Sequence, residues 1–198
     1  MSETHKAPFS IRALNRAPAP QALDMMDRIV ERSDWLAARA VTARPFADAD
    51  ALGRWLEREV TDLPRQDAIL LLQAHPDLAP AAPAAMTLAS QSEQGRMSLL
   101  NPTQELAEAL TRLNAQYRAK HGFPFVIALH AQPDMDAVLA IFLSRLASDT
   151  TEELSRSLHE VVSVMKARLA HLTAGADGVT GGSAPNAVPA HLPGDTPS

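Results

Sequence analysis

The chain has 198 residues, 46% of them hydrophobic and 21% charged, which is the ordinary range for one globular domain with its own core. It contains no cysteine, so a disulfide framework, a thiol nucleophile and a thiolate metal site are all excluded. The net charge is −5 with the basic residues scattered, which argues against nucleic acid as a partner, and no apolar run approaches the roughly 18 residues that a membrane span needs.

Residues 1–20 are predicted to be partly flexible because three prolines interrupt them, although a few apolar side chains could pack on the body of the protein. The same residues lack the hydrophobic stretch of a signal peptide, so we expect a cytoplasmic protein.

Beyond this segment, apolar residues recur at helical spacing along most of the chain, most clearly in residues 52–63, 106–117, 138–146 and 154–172. The first of these stretches follows a possible N-cap at Asp48 or Asp50, and the third follows Asp134.

The stretch 106–117 also has predicted ends. Asn101 is expected to be the N-cap, with Pro102 at the first helical position and Gln104 completing a capping box. Gly122 lies where a left-handed residue commonly ends a helix.

Only FPFVIAL, residues 123–129, has the aromatic and β-branched content of a strand. No partner strand is present, so a buried helical or extended connector is expected. The pattern as a whole predicts an all-α protein, with a single compact domain of seven to eight helices over residues 10–172. Residues 173–198 form a predicted disordered tail, because the last 25 residues contain five glycines and four prolines.

The stretch LLLQAHPDLAP, residues 70–80, places a histidine at the end of an apolar helix. His75 precedes Pro76, which disfavours the α conformation, so the helix should end near Ala74 or His75. The negative end of the helix dipole would favour the protonated imidazole. His75 could therefore exchange a proton near neutral pH, or it could simply bond the last helical carbonyls.

Two further polar features have alternative interpretations. Ser90, Glu93 and Gln94 share one face of a predicted helix, which is either solvated or turned toward a ligand. Arg168 lies in the apolar stripe of the last helix, where it either extends its charged end to water or binds an anion.

Metal ligation has weak support from the residue spacing. His75 and Asp77 could bind a metal together, but no third ligand has convincing spacing. His159 and Glu160 lack the second histidine of a zincin helix.

Four motifs in order, HPDLA (75–79), SQSEQ (90–94), LNAQYRAKHGFPFVI (113–127) and ARLAHL (167–172), resemble those of the 2-oxo-4-hydroxy-4-carboxy-5-ureidoimidazoline (OHCU) decarboxylase family. The resemblance spans residues 10–172. It implies an all-α decarboxylase that needs no cofactor or metal, forms a homodimer and converts OHCU to (S)-allantoin and CO2 in urate degradation. Uricase and hydroxyisourate hydrolase are the implied functional neighbours.

The resemblance also implies roles for individual residues. His75, Glu93 and Arg168 would be catalytic, with His75 as the central group. The implied substrate-binding residues are Pro76, Ser90, Gln91, Ser92, Glu93, Gln94, Phe125, Val126, Ile127, Ala128 and Leu129. One departure is His121, at a position where the family commonly has Phe; we expect it beside the pocket wall and not in the pocket.

Two other functions remain compatible with the sequence. The first is a non-enzymatic helical module that binds a purine-derived metabolite in the same pocket. The second is a metal-dependent hydrolase that uses His75 and Asp77.

Overall fold

The computed structural model describes residues 9–80 and 86–177, with side chains described as far as residue 174. These ranges contain nine α-helices and no strand. The helices are α1 Ile11–Arg16, α2 Ala19–Met26, α3 Asp34–Thr42, α4 Ala49–Thr61, α5 Arg65–Gln73, α6 Leu88–Gly95, α7 Gln104–His121, α8 Met135–Ala147 and α9 Thr150–Asp177, with a short 3-10 turn at Leu129–Ala131.

The all-α prediction is confirmed, and the helices of the described ranges outnumber the predicted seven to eight. The N-terminal helices α1 and α2 have six and eight residues, which is too short for a periodic pattern to be recognised. Residues 1–8 and 178–198 lie outside the described residues, whereas residues 173–177, which were predicted to belong to the disordered tail, continue helix α9.

Local capping chemistry accounts for several helix ends. The predicted caps Asp48 and Asp134 accept the backbone N–H of the third residue after them, at 2.7 and 2.9 Å. The predicted cap of α7 was wrong: Thr103 caps it, accepting from the backbone N–H of Leu106 at 3.3 Å, so Asn101 and Pro102 precede the helix. Gly122 ends α7 with φ 84°, as predicted.

Helix α9 is the longest element, and it packs against α4, α5 and α7. Its apolar stripe lies in the core, with the buried residues Leu154, Leu158, Val161, Val162, Met165 and Leu169. Each fully buried side chain of this kind stabilises the fold by about 1.5–3 kcal/mol. This packing fixes the position of Arg168, one residue before Leu169.

Residues 123–128 form a buried extended connector between α7 and the 3-10 turn, as one of the two interpretations of FPFVIAL predicted. The Phe125 ring stacks on Phe142 of α8 with centroids 3.9 Å apart, and Tyr117 of α7 meets both rings edge-on. No helix in the described ranges is both long and apolar enough to cross a membrane.

Candidate active site

A pocket of about 510 Å³, counted with its open mouth, lies between the C-terminal end of α5, helix α6, the connector and α9. Ten residues predicted from the sequence line it: His75, Pro76, Ser90, Glu93, Gln94, Phe125, Val126, Ile127, Leu129 and Arg168. Four others were not predicted: Glu31, Leu78, His130 and Val164.

The imidazole of His75 has a defined tautomer. Its Nδ1 lies 3.0 Å from the carbonyl oxygen of Leu71, one turn back in α5. Because a carbonyl can only accept, Nδ1 carries the hydrogen and donates it, which leaves Nε2 as an acceptor. His75 therefore bonds a helical carbonyl and lines the pocket at the same time.

The protonation state of His75 differs from the expectation based on the helix dipole. Burial lowers the pKa of His75, and this outweighs the opposing effects of the Leu71 hydrogen bond and of the nearby carboxylates Glu31 and Glu93. The histidine is therefore neutral at pH 7. The helix dipole had predicted that the protonated imidazole is favoured. This prediction was wrong because segments distant in sequence pack around the end of α5 and remove His75 from water.

The loop after His75 is held by side chains from two other helices. Gln94 of α6 donates its amide N–H to the carbonyl of Asp77 at 2.9 Å and accepts the N–H of Ala79 at 2.8 Å. Asn114 of α7 donates to the carbonyl of Leu78 at 3.0 Å. Both ends of the Gln94 amide are used, so this residue shapes the loop that carries the histidine.

The carboxylate of Asp77 is engaged away from the pocket. Arg118 Nε donates to it at 3.0 Å, and Asp77 is absent from the pocket lining. No group of three metal-binding side chains is found in residues 9–80 and 86–177. This geometry gives Asp77 a structural role and does not favour the pairing of His75 with Asp77 as metal ligands.

Arg168 holds two carboxylates on the side of the pocket formed by α9. It donates to Glu93 in a bidentate arrangement, with Nε–Oε1 2.6 Å and Nη2–Oε2 2.7 Å, and Nη2 also lies 3.1 Å from Glu31 Oε2. The other Glu31 contacts are the hydroxyls of Thr87 and Ser90, each donating at 2.5 Å. The Glu93 side chain is 31% exposed against 3% for Glu31, so Glu93 is the accessible carboxylate and Glu31 the buried support.

The charges of this cluster are stable at neutral pH. Burial opposes ionisation of Glu31, but hydrogen bonds from Ser90 and Thr87 and the guanidinium of Arg168 outweigh it and hold the pKa of Glu31 below its usual value. Burial also opposes the charge on Arg168, yet the hydrogen bonds and charges of Glu93 and Glu31 raise its pKa. Arg168 is therefore a permanent cation between the two carboxyl groups.

Glu31 is the main residue that sequence reasoning missed. It follows Ile29 and Val30 in a segment with no recognisable motif, and its role depends on contacts with residues 56 or more positions away. A single acidic residue next to a buried apolar pair is the one local signal, and it is weak.

Three residues expected to bind substrate lie outside the pocket lining. Gln91 donates its side-chain amide to the carbonyl of Met86, Ser92 is exposed, and the N–H of Ala128 is directed to Glu160. His121 is buried beside Tyr117 and also lies outside the lining, as expected.

An all-α fold whose pocket brings a histidine close to an arginine–carboxylate pair fits the class of helical enzymes that act on a small polar substrate. Comparison with known families makes the assignment specific. The family model described as OHCU decarboxylase matches residues 15–170. The chain belongs to the OHCU decarboxylase family.

Individual relatives agree with this assignment. The 2-oxo-4-hydroxy-4-carboxy-5-ureidoimidazoline decarboxylase of Haloferax volcanii is 35% identical over 162 residues, which cover 82% of this chain and 95% of the relative. The uric acid degradation bifunctional protein PucL of Bacillus subtilis is 29% identical over 83% of this chain and 33% of its own length. A crystal structure of an (S)-allantoin synthase shares the fold, with a TM-score of 0.62 and 22% identity over 83% of this chain and 54% of that one.

Proposed function

We propose that the protein decarboxylates OHCU to (S)-allantoin and CO2 in urate degradation, without a cofactor. The observation that carries the proposal is that one pocket gathers His75, Glu93 and Arg168 from three distant segments of a chain that belongs to the OHCU decarboxylase family. The H. volcanii relative, which carries the name of this activity, is aligned over nearly its whole length.

The substrate itself supplies the electron sink for this reaction. Its carboxylate and a hydroxyl share one ring carbon, and the electrons left by departing CO2 can delocalise into the conjugated ring. Pyridoxal phosphate, thiamine or a metal is therefore not required by the chemistry. The protein has to orient the carboxylate, stabilise the developing charge and deliver one proton to one face.

The pocket residues suit these three tasks. The unprotonated Nε2 of His75 can take the proton of the substrate hydroxyl, which becomes a carbonyl, and return it to the neighbouring ring carbon after CO2 has left. The ring nitrogen that receives the electron pair of the broken C–C bond takes up one further proton from solvent. The Leu71 hydrogen bond fixes the imidazole, so the proton arrives from one direction. Glu93, oriented by Arg168, would hydrogen-bond the ring or hydroxyl, and Arg168 would stabilise an anionic oxygen.

The direct test uses OHCU generated freshly from urate by uricase and hydroxyisourate hydrolase. Adding the protein should give rapid formation of one enantiomer. Circular dichroism of (S)-allantoin measures this formation against the slow racemic background. The rate should be the same in the presence of EDTA. A racemic product at the background rate would refute the decarboxylase. If allantoin then bound to the protein in calorimetry, the non-enzymatic binding module would be favoured, whereas activity lost in EDTA would favour a metal enzyme.

The pH dependence of the reaction follows from the lowered pKa of His75. If the neutral imidazole is the active form, kcat/KM should be level at neutral pH and fall on acidification with a midpoint below the ordinary histidine value of 6.5. The measurement is a background-corrected pH profile of kcat/KM. A midpoint above 6.5, or activity that rises as the histidine protonates, would contradict the assignment.

We also propose that the enzyme is a cytoplasmic homodimer that works beside uricase and hydroxyisourate hydrolase. The B. subtilis relative, a bifunctional protein named for uric acid degradation, supports these neighbours, and the absence of cysteine fits a reducing compartment. Light scattering should give twice the chain mass of 21.3 kDa; a single-chain mass would refute the dimer.

A further inference from the structure

Residues 125–129 form one wall of the pocket, and charged side chains hold this wall from the side away from the pocket. Arg145 of α8 is buried and donates from Nη1 to the carbonyl oxygen of Val126 at 2.9 Å. Glu160 of α9 accepts the N–H of Ala128 at 2.8 Å. The two side chains face each other, with Arg145 Nη1 and Glu160 Oε1 3.6 Å apart.

The direction of these bonds orients the residues between them. In an extended chain, residues two apart direct their backbone polar groups to the same side, and the residue between them turns the other way. The Val126 carbonyl and the Ala128 N–H are bonded to Arg145 and Glu160, and Ile127, which stands between them, lines the pocket together with Val126. The two charged residues therefore hold the backbone of the wall on both sides of Ile127.

The charged pair belongs to a hydrogen-bonded cluster whose centre, Arg145 with Glu153, is buried, while Glu160 and Arg156 are partly exposed. Arg145 also donates from Nε to Glu153 at 2.7 Å and from Nη2 to Ser157 at 3.0 Å, and Arg156 donates to the second Glu153 oxygen at 3.2 Å. Two arginines thus balance two glutamates. A buried charge network with its hydrogen bonds complete is rigid, because breaking any member leaves an uncompensated charge.

Arg145 also fixes the aromatic part of the wall. Its guanidinium lies over the Phe125 ring, 4.5 Å from the centroid, and Phe142 stacks on the other face of that ring. The same arginine therefore holds a backbone carbonyl and a lining side chain of the wall.

We propose that Arg145 and Glu160 are positioning residues: they fix the wall 125–129 from behind and so set the facial selectivity of the reaction in the pocket. This inference rests on the proposed OHCU decarboxylase activity. Neither side chain lines the pocket, so both act through the wall.

The experiment uses Glu160→Ala, because removing the buried Arg145 could unfold the protein. Glu160→Gln keeps an oxygen that can accept the Ala128 N–H. Glu57→Ala is the matched control, since it removes a hydrogen bond of the same 2.8 Å length to α9, at the surface with Lys166. For each full-length protein we would measure the hydrogen exchange of residues 123–131, KM and kcat. We would also measure the enantiomeric excess of allantoin at saturating enzyme.

In Glu160→Ala we expect the backbone amides of the wall to exchange about tenfold faster and KM to rise about tenfold, because a hydrogen bond to a charged acceptor is lost. The enantiomeric excess of allantoin should fall as well. Glu160→Gln should stay within about twofold of wild type, and Glu57→Ala should be unchanged. A merely destabilised enzyme would lose apparent kcat with KM and enantiomeric excess intact.

Three results would overturn the proposal or its basis. Wall exchange equal to that of Glu57→Ala would show that Glu160 does not fix the wall. Faster exchange with unchanged KM and enantiomeric excess would remove the positioning role. A wild-type protein that forms only racemate at the background rate would refute the decarboxylase and with it the role in selectivity, while the exchange data would still decide whether Glu160 holds the wall.

Discussion

Replacing His75 by Asn is expected to lower kcat for (S)-allantoin formation by about 10²–10⁴-fold, the usual contribution of a positioned acid–base group. Asparagine can still donate to the Leu71 carbonyl, so the end of α5 should be preserved, but its amide cannot take and return a proton at neutral pH. Product should then form almost entirely as racemate, at the spontaneous rate. Chiral analysis of allantoin and far-UV circular dichroism are the measurements.

His159→Asn provides the matched control. The Nδ1 of His159 lies 2.8 Å from the carbonyl of Ser155, four residues back in α9, which reproduces the local bond of His75 without the pocket. This variant should keep full activity. Turnover near the wild-type rate in His75→Asn would remove His75 from the mechanism, and equal losses in the two variants would point to a general effect on folding.

The parts of the fold that depend on residues close together in the sequence were predictable from it. Periodicity located the long helices, and the caps Asp48, Asp134 and Gly122 depend only on the residues next to them. Helix α7 shows the limit of this reasoning: Asn101 was predicted as its cap, but Thr103, two positions later, caps the helix instead.

The candidate site is less local, so the sequence predicted it unevenly. His75, Glu93 and Arg168 could be named from motifs, but no motif shows that Arg168 holds Glu93 in a bidentate pair across 75 residues. Glu31 was missed because its burial is created by α6 and α9. The helix dipole, a local effect, predicted a raised pKa for His75, whereas the burial that lowers this pKa is created by the tertiary fold.

Replacing Arg168 by Met is expected to have the largest effect on stability of any change at the site. Arg168 is 11% exposed and is the cation between Glu31 and Glu93, so its removal leaves two carboxylates facing each other without compensation. Loss of one partner of a buried ion pair costs about 3–5 kcal/mol, and the partial exposure of Glu93 favours the lower end of that range. Activity should be lost as well. Urea unfolding at neutral pH measures the change in the free energy of unfolding.

The loss should depend on pH in a defined direction. In the wild type the folded-state pKa of Glu31 lies below its ordinary value of 4.5, so its stabilising contribution is present above that value and is lost as the pH falls through the folded pKa. Without Arg168 that pKa rises, and Glu31 takes up a proton at a higher pH. The difference in stability between wild type and Arg168→Met should therefore shrink as the pH falls from the raised Glu31 pKa of the variant to the lowered Glu31 pKa of the wild type.

Two further variants separate charge from geometry and surface from interior. Arg168→Lys keeps a cation but not the planar fork, so it should recover part of the stability and little activity. Lys166, on the same helix as Arg168, forms an exposed ion pair with Glu57 of α4, so Lys166→Met should leave the free energy of unfolding nearly unchanged. Two results would show that the guanidinium does not neutralise the buried carboxylates. The first is that Arg168→Met is no more destabilising than Lys166→Met. The second is that the stability lost in Arg168→Met stays the same at acidic pH.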